Sequence, residues 1–269
     1  MCKYKLQKTN TMKKLIILVC CIICGLQICN AQYTTKKYTV AIADFTGYYI
    51  EEMFNACLAA MPICRVTAVN WNDVAETDAA NEVDFFITAN IGEIATEQKT
   101  GKQLLTGAEY TYYSCKVNFT LVMTDANTGN IVATRNSYFT NTDQDPNKAA
   151  TGCLKFSDQD LRRLVDNGCT IKVPIATLQD VKKSKAQTAI IDAGPNIGIC
   201  EGLYFDIQVE SEISGRTFYK TIGAAKVKEV LSDELTICEI TKGGKDVVTY
   251  TNEGSTLILS SKEEPLIHF

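Results

Sequence analysis

Histidine is almost missing from this 269-residue sequence: the single one, His268, stands one residue from the C-terminus, in a segment expected to fray. A serine or cysteine nucleophile activated by histidine is thereby disfavoured, as is a histidine-rich metal centre. Long apolar runs are missing too. The one pronounced run, Leu15 to Cys24, has ten residues, which as helix would span about 15 Å against a hydrocarbon core of about 30 Å. No cluster of lysines and arginines forms a basic patch, and there is neither low-complexity sequence nor a repeat with the period of about 20–50 residues that solenoids show. The cysteines beyond residue 31 are scattered, without the close paired spacing of zinc ribbons or fingers.

What is present at the start is an export signal. Met12-Lys13-Lys14 followed by the apolar run and ending near Cys29-Asn30-Ala31 reads as a signal peptide over residues 1–31, with Met12 as the more natural initiator and Gln32 as the first mature residue. The competing reading is a lipid anchor, since Cys2, Cys20, Cys21, Cys24 and Cys29 lie in or before this segment. The residues ahead of the last four, Val19, Cys20, Ile23 and Ile28, are not the small ones that acylation needs. Cleavage removes five lysines and no acid, leaving 22 basic and 31 acidic residues and a net charge of −9. Such a surface repels phosphate backbones, so no nucleic-acid partner is expected, and no transmembrane segment follows the signal. Of the seven remaining cysteines, Cys57, Cys64, Cys153, Cys169, Cys200 and Cys238 are candidate disulfide residues in an oxidising compartment. Simple burial as small apolar side chains is the alternative, and an odd total leaves at least one unpaired.

The mature chain divides in two by pattern. Lys37 to Phe45 is a nearly continuous apolar strand; Ile50, Met53, Phe54, Cys57 and Leu58 fall on one helical stripe closed by Pro62; Cys64 to Val69 is a second strand, and a short helix is expected from Asn72 to Ala80. Long strands follow at Val83 to Thr96 and Ala108 to Thr124, joined by a polar turn at Thr100-Gly101-Lys102. A turn at Asp125 to Asn130 leads to a strand at Ile131 to Thr140 and a polar loop at Asn141 to Asn147. Ser157 and Asp160 make a variant capping box for a helix stopped at Gly168. From Ile171 onward no helix is expected, only short strands at Thr188 to Ile191, Leu203 to Val209, Thr217 to Thr221, Ala224 to Val230, Thr236 to Ile240 and Thr256 to Leu259. The expected class is α+β: an α/β sandwich with a mostly antiparallel sheet over residues 32–170, a small all-β barrel over 171–262, and a tail over 263–269.

Carboxylates are the remaining candidates for chemistry. Glu51 and Glu52 point about 100° apart on a helix and cannot face one substrate. Glu93 and Glu97 would share a strand face, for which a solvated sheet edge is the plainer reading. Asp44, at the carboxyl end of an early strand, is the acid best placed for a ligand, with turn formation or capping as the plainer reading. Gly194, Gly198 and Gly202 lack the Lys-Ser/Thr and helix of a phosphate loop and are read as turn glycines. Trp71, Tyr110, Tyr112 and Tyr113 could stack on sugar, with packing as the alternative. No catalytic residue, cofactor or metal is assigned.

Three segments carry a resemblance: Thr39 to Gly47, Asp84 to Ile91, and Val117 to Ile131 with its Asp125-Ala126-Asn127-Thr128-Gly129-Asn130-Ile131 turn. In order and spacing they resemble the periplasmic domain of the curli-secretion channel family, and are similar to the penicillin-binding-protein activator lipoproteins and the middle of the flagellar T-ring assembly protein. Ala89-Asn90 stands where those families usually have glycine. Downstream, Ala189 to Ile207 and Ile222 to Val230 resemble the small β-barrel that closes the flagellar T-ring protein. The resemblance implies an exported, non-enzymatic accessory or assembly protein of the cell envelope, in the periplasm or on the periplasmic face of the outer membrane. It would act by oligomerising or by binding another envelope protein. A carbohydrate- or peptidoglycan-binding module, or a glycoside hydrolase working through carboxylates, is the alternative.

Overall fold

The computed structural model describes residues 33–213 and 216–263; the signal segment and His268 lie outside the described residues. The β-prone run near the mature start forms β1 (Tyr38–Gly47), whose central Val40, Ala41 and Ile42 are completely buried, as a strand covered on both faces requires. The apolar stripe that follows folds as α1 (Ile50–Ala60) and buries Met53 and Cys57. β2 (Val66–Asn70) and β3 (Phe85–Ile91) both run parallel to β1.

Outward from β3 the sheet is antiparallel. β5 (Glu109–Asp125) pairs with β3 over Ile91↔Phe119 to Phe85↔Asp125, and with β4 (Ala95–Lys102) over Lys102↔Glu109 to Ala95↔Lys116. β3 and β4 are therefore one long strand interrupted at Gly92, Glu93 and Ile94. On the other side of β5 lies β6 (Ile131–Asp143). The intervening turn is built by Asp125, whose Oδ1 accepts from the Asn127 and Thr128 amides at 3.0 and 2.7 Å and from the Thr128 hydroxyl at 2.9 Å. These bonds, the Thr128 amide's above all, hold the Asp125 carboxyl below its usual range.

Helices α3 (Pro146–Gly152) and α4 (Asp158–Gly168) join α1 on one face of this sheet, with Ala149, Leu161, Leu164 and Val165 buried among Phe119, Leu121 and Met123. The opposite face carries Thr88, Asn90, Asn118 and Thr120, none of them buried. This is the expected α/β sandwich. Asp160 fastens α4 to β6: its Oδ2 accepts from Ser157 and Ser137 at 2.7 and 2.8 Å, and its Oδ1 from Arg135 Nε at 2.8 Å. Burial pushes this carboxyl up, but the three hydrogen bonds outweigh burial and its pKa is lowered.

The second half is a seven-stranded, all-antiparallel curled sheet in the order β7-β13-β10-β11-β12-β9-β8. Its strands are β7 (Lys172–Pro174), β8 (Thr177–Lys182), β9 (Lys185–Ile191), β10 (Tyr204–Ile213), β11 (Arg216–Ser232), β12 (Leu235–Lys242) and β13 (Leu257–Lys262). The sheet wraps half-barrel fashion around Phe205, Ile207, Ile191, Val227, Cys238 and Leu259. β7 and β8, consecutive in the chain, are its two edges.

Five sequence expectations need correction. The helix expected from Asn72 to Ala80 is only a turn, α2 (Trp71–Val74), followed by a 3-10 turn at Asp78–Glu82; neither buries a residue, so nothing holds a longer helix together. Thr100, Gly101 and Lys102 are strand and not turn, because the Tyr110 ring lies directly across Gly101, whose added Cβ would sit 2.7 Å from it. The loop at Asn141 to Asn147 is mostly the end of β6 and the start of α3, which Asp145 caps through the Asn147 amide at 2.8 Å. Thr217 to Thr221 and Ala224 to Val230 are one strand with a bulge at Ile222, since Ile207 faces Gly223 and Gln208 faces Thr221. The helix that was not expected is α5 (Gly244–Asn252), which opens with glycine and is rich in β-branched residues; its burial of Val247 in the second core overrides that preference.

Two outcomes follow. A fragment from Ile171 to Lys262 keeps all seven strands and α5, and it is expected to unfold cooperatively on its own; a thermal melt followed by circular dichroism checks this, and an unfolded fragment would mean one shared core. Asp160→Asn is expected to cost about 1.5–3 kcal/mol at neutral pH, the range for hydrogen bonds to a charged group. Because the folded carboxyl titrates below the unfolded one, near 3.9, the wild-type advantage is present above that pH and disappears as pH falls through the folded value. Denaturant titrations of both proteins at pH 7 and below pH 4 test the sign.

Candidate functional site

Where the two sheets meet, the chain joins them with few but specific contacts. Tyr38 packs against both cores and donates its hydroxyl to the Thr170 carbonyl at 3.2 Å. The Lys37 amide donates to Asn196 O at 3.0 Å, and Thr34 and Lys172 exchange two bonds at 2.9 and 3.0 Å. The central group is Arg65, only 4% exposed. Its Nε and Nη2 each lie 3.0 Å from Asp166 Oδ1 on α4, and its Nη1 donates to Gly198 O at 3.1 Å in the second half. Gly198 has φ of +90°, and a Cβ there would stand 2.3 Å from the Arg65 carbonyl oxygen, so no larger residue fits. Arg163 adds an ion pair to Glu263 at 2.8 Å.

Beside this junction opens a cavity of about 450 Å³ whose walls include Arg65, Arg162, Asp166, Cys200, Lys226 and Lys262. Burial pushes the Asp166 carboxyl up, against the opposing pull of Arg65. Two acids at this junction are already engaged by cations, Asp166 with Arg65 and Asp206 with Lys262. The arrangement holds segments together; two further acids, Asp158 and Glu201, also line the cavity. Among the described residues no three His, Cys, Asp or Glu side chains group as a metal site would need.

The acids singled out in the sequence are not brought together. Asp44 is exposed at a bulge of β1 between Ile42 and Phe45, Glu51 and Glu52 are exposed on the first turn of α1, and Glu93 sits in the break between β3 and β4. Glu97, on β4, pairs with Lys99 at 3.2 Å on an exposed surface. Nor do the aromatics form a platform. Trp71 packs edge-on against Phe86, ring centroids 4.9 Å apart, whereas Tyr110 and Tyr112 lie against each other at 5.8 Å on the far end of β5. Phe86 faces Thr124, and from Tyr112 to Thr124 is about 40 Å of strand at roughly 3.3 Å per residue. Gly198 and Gly202 do have positive φ as turn glycines, but Gly194 is extended and is required by a close approach to Asp233 O.

All seven described cysteines carry free thiols. Cys57, Cys115, Cys153 and Cys169 are buried in the first core and Cys238 in the second. Burial pushes Cys57 and Cys238 up to about 12 and raises Cys153 and Cys169 as well, which leaves these four as inert thiols. Cys64 and Cys200 differ: one is exposed, the other half-buried, and each shifts the ionisation of the other.

A long stretch of backbone is also left unpaired. Among the described residues β6 pairs with β5 alone, so its outer edge is open there over thirteen residues. Its solvent-side positions Val132, Thr134, Asn136, Tyr138, Thr140 and Thr142 are all exposed and uncharged, and the strand contains no proline. Past the end of β6, β4 and β5 continue as a two-stranded ribbon, and at its tip Leu104 and Leu105 are completely exposed. The sequence reading missed Arg65 and this tip. The signals were there: an arginine inside Ile63-Cys64-Arg65-Val66, and a leucine pair in an otherwise polar turn. Among the described residues no helix is long and apolar enough to cross a membrane.

No family model and no curated protein matches the chain. Among solved structures, a neuraminyllactose-binding hemagglutinin homolog from Helicobacter pylori overlaps 49% of this chain and 83% of its own, at 9% identity and a TM-score of 0.32. Lipoprotein GNA1162 from Neisseria meningitidis overlaps 44% and 92%, at 11% identity and a TM-score of 0.28. A PelC dodecamer from Paraburkholderia phytofirmans overlaps 45% and 85%, at 13% identity and a TM-score of 0.26.

Proposed function

We propose that this chain is an exported, non-enzymatic accessory or assembly protein of the cell envelope that works by associating with protein, through a further copy of itself or an envelope partner. The observation that carries the reading is the open edge of β6. Soluble proteins guard exposed edge strands with lysines, prolines, bulges or a covering element, because an unpaired row of amides and carbonyls recruits another strand. From Thr134 to Thr142 β6 has none of these guards among the described residues; its one bulge, at Val132, lies at the start of the strand beside the Asp125 turn. Its two charged residues, Arg135 and Asp143, alternate to the helix-facing side, and Arg135 is engaged by Asp160. The N-terminal export signal and the resemblance of three segments to periplasmic assembly proteins support the envelope setting. Nothing in the placement of Trp71, the tyrosines or the carboxylates favours the carbohydrate reading.

Thr134→Lys with Tyr138→Lys places two charges on the edge while leaving the inner face intact. Crosslinking in intact cells, with sedimentation of the purified mature chain, is expected to show the wild type in an assembly and the double variant at least tenfold weaker in it, with an unchanged melt. A wild type that stays monomeric and captures no envelope protein, or a double variant that assembles as well as the wild type, would refute the proposal.

A further inference from the structure

Cys64 and Cys200 are far apart in sequence and belong to different halves, yet the fold holds them side by side. Cys64 precedes the buried Arg65, and Cys200 follows Gly198 by two residues; Arg65 Nη1 donates to Gly198 O at 3.1 Å, and the Arg65 carbonyl closes against Gly198 so tightly that only glycine fits. These backbone contacts fix the two segments against each other. The thiols beside them are close enough to shift each other's ionisation, at the rim of the cavity that Cys200 helps to line. We propose that Cys64 and Cys200 form a disulfide that staples the two halves of the molecule across the Arg65 junction.

The two thiols are suited to unequal roles. The neighbouring Cys200, followed by the positive charges of Arg162 and Arg65, brings Cys64 down to about 6, while Cys64 and burial raise Cys200. Cys64, exposed and largely thiolate at neutral pH, attacks an incoming disulfide R–S–S–R, forming a Cys64–S–S–R bond and releasing one RS⁻. Cys200 then gives up its proton to solvent and attacks the Cys64 sulfur, forming the Cys64–Cys200 bond and releasing the second RS⁻. Two thiols are oxidised and one disulfide is reduced to two thiols. The oxidant is a small-molecule or protein disulfide of the kind an oxidising compartment supplies. The five other thiols are buried and stay reduced. The bond would close a long loop between the halves, so it constrains the unfolded chain strongly. This inference is independent of association through β6.

The test uses the purified mature chain, equilibrated first with reduced and then with oxidised glutathione. After unfolding in alkylating reagent, the oxidised protein is expected to show five modified cysteines in place of seven, and peptide mapping without reductant should recover a single linked pair, Cys64 with Cys200. The melting temperature should rise by roughly 5 °C or more on oxidation. Cys64→Ser and Cys200→Ser should each abolish that rise and keep all six of their thiols. Seven alkylated cysteines after oxidation, or a disulfide that joins Cys64 to another residue or another chain, would overturn the proposal.

Discussion

The relation between the two halves depends on one buried guanidinium. Arg65 sits at the entrance to β2 and reaches to Asp166 on α4 and to the Gly198 carbonyl, 101 and 133 residues further along the chain. A buried charge is tolerated only when it is paired and hydrogen-bonded; leaving its partner alone typically costs about 3–5 kcal/mol. That penalty makes the junction geometrically demanding even if its net stabilisation is small. Gly198, Asp166 and the Tyr38 ring all take positions that Arg65 allows, and the adjoining cavity is the space left over where two curved sheets meet.

Each half solves its own burial problem. The first sheet covers one face with α1, α3 and α4 and leaves the other to threonine and asparagine, which is why its long strands read as alternating apolar and polar residues. The second curls around a core of its own and uses α5 to help cover it. What neither half disposes of is strand edge. β2 is short and β7 shorter still, but β6 runs for thirteen residues with its outer hydrogen-bonding groups unpaired among the described residues. The interaction of Asp160 with Arg135 and Ser137 holds that strand flat against α4 and keeps its edge presented.

The cysteines illustrate how burial sorts chemically identical groups. Five thiols are sunk in cores, where a low dielectric disfavours the thiolate and the residue acts as a small apolar side chain. Cys64 lies instead at a partly open rim, where Cys200 first and then Arg162 and Arg65 lower it, while Cys64 and burial raise Cys200. Spacing along the chain gives no hint of this division, since Cys57 and Cys64 stand seven residues apart and behave oppositely.

By itself the sequence determined the class and order of the structure: the period-2 and period-3.6 patterns, the Asp125 turn and the Ser157 cap are local, and local chemistry was enough to read them. The α+β architecture and the change of character near Ile171 followed from those patterns alone. Tertiary structure decided what depends on distant neighbours. Gly101 is strand because Tyr110 lies over it; α5 is a helix because the second core takes up Val247; Glu93 and Glu97 lost their common face to a break in the strand between them. The same holds for the junction and the open edge. Whether an arginine is buried, which two of seven thiols lie together, and which strand lacks a neighbour are all set by contacts across more than a hundred residues or by the absence of a partner, and neither leaves a mark in local sequence.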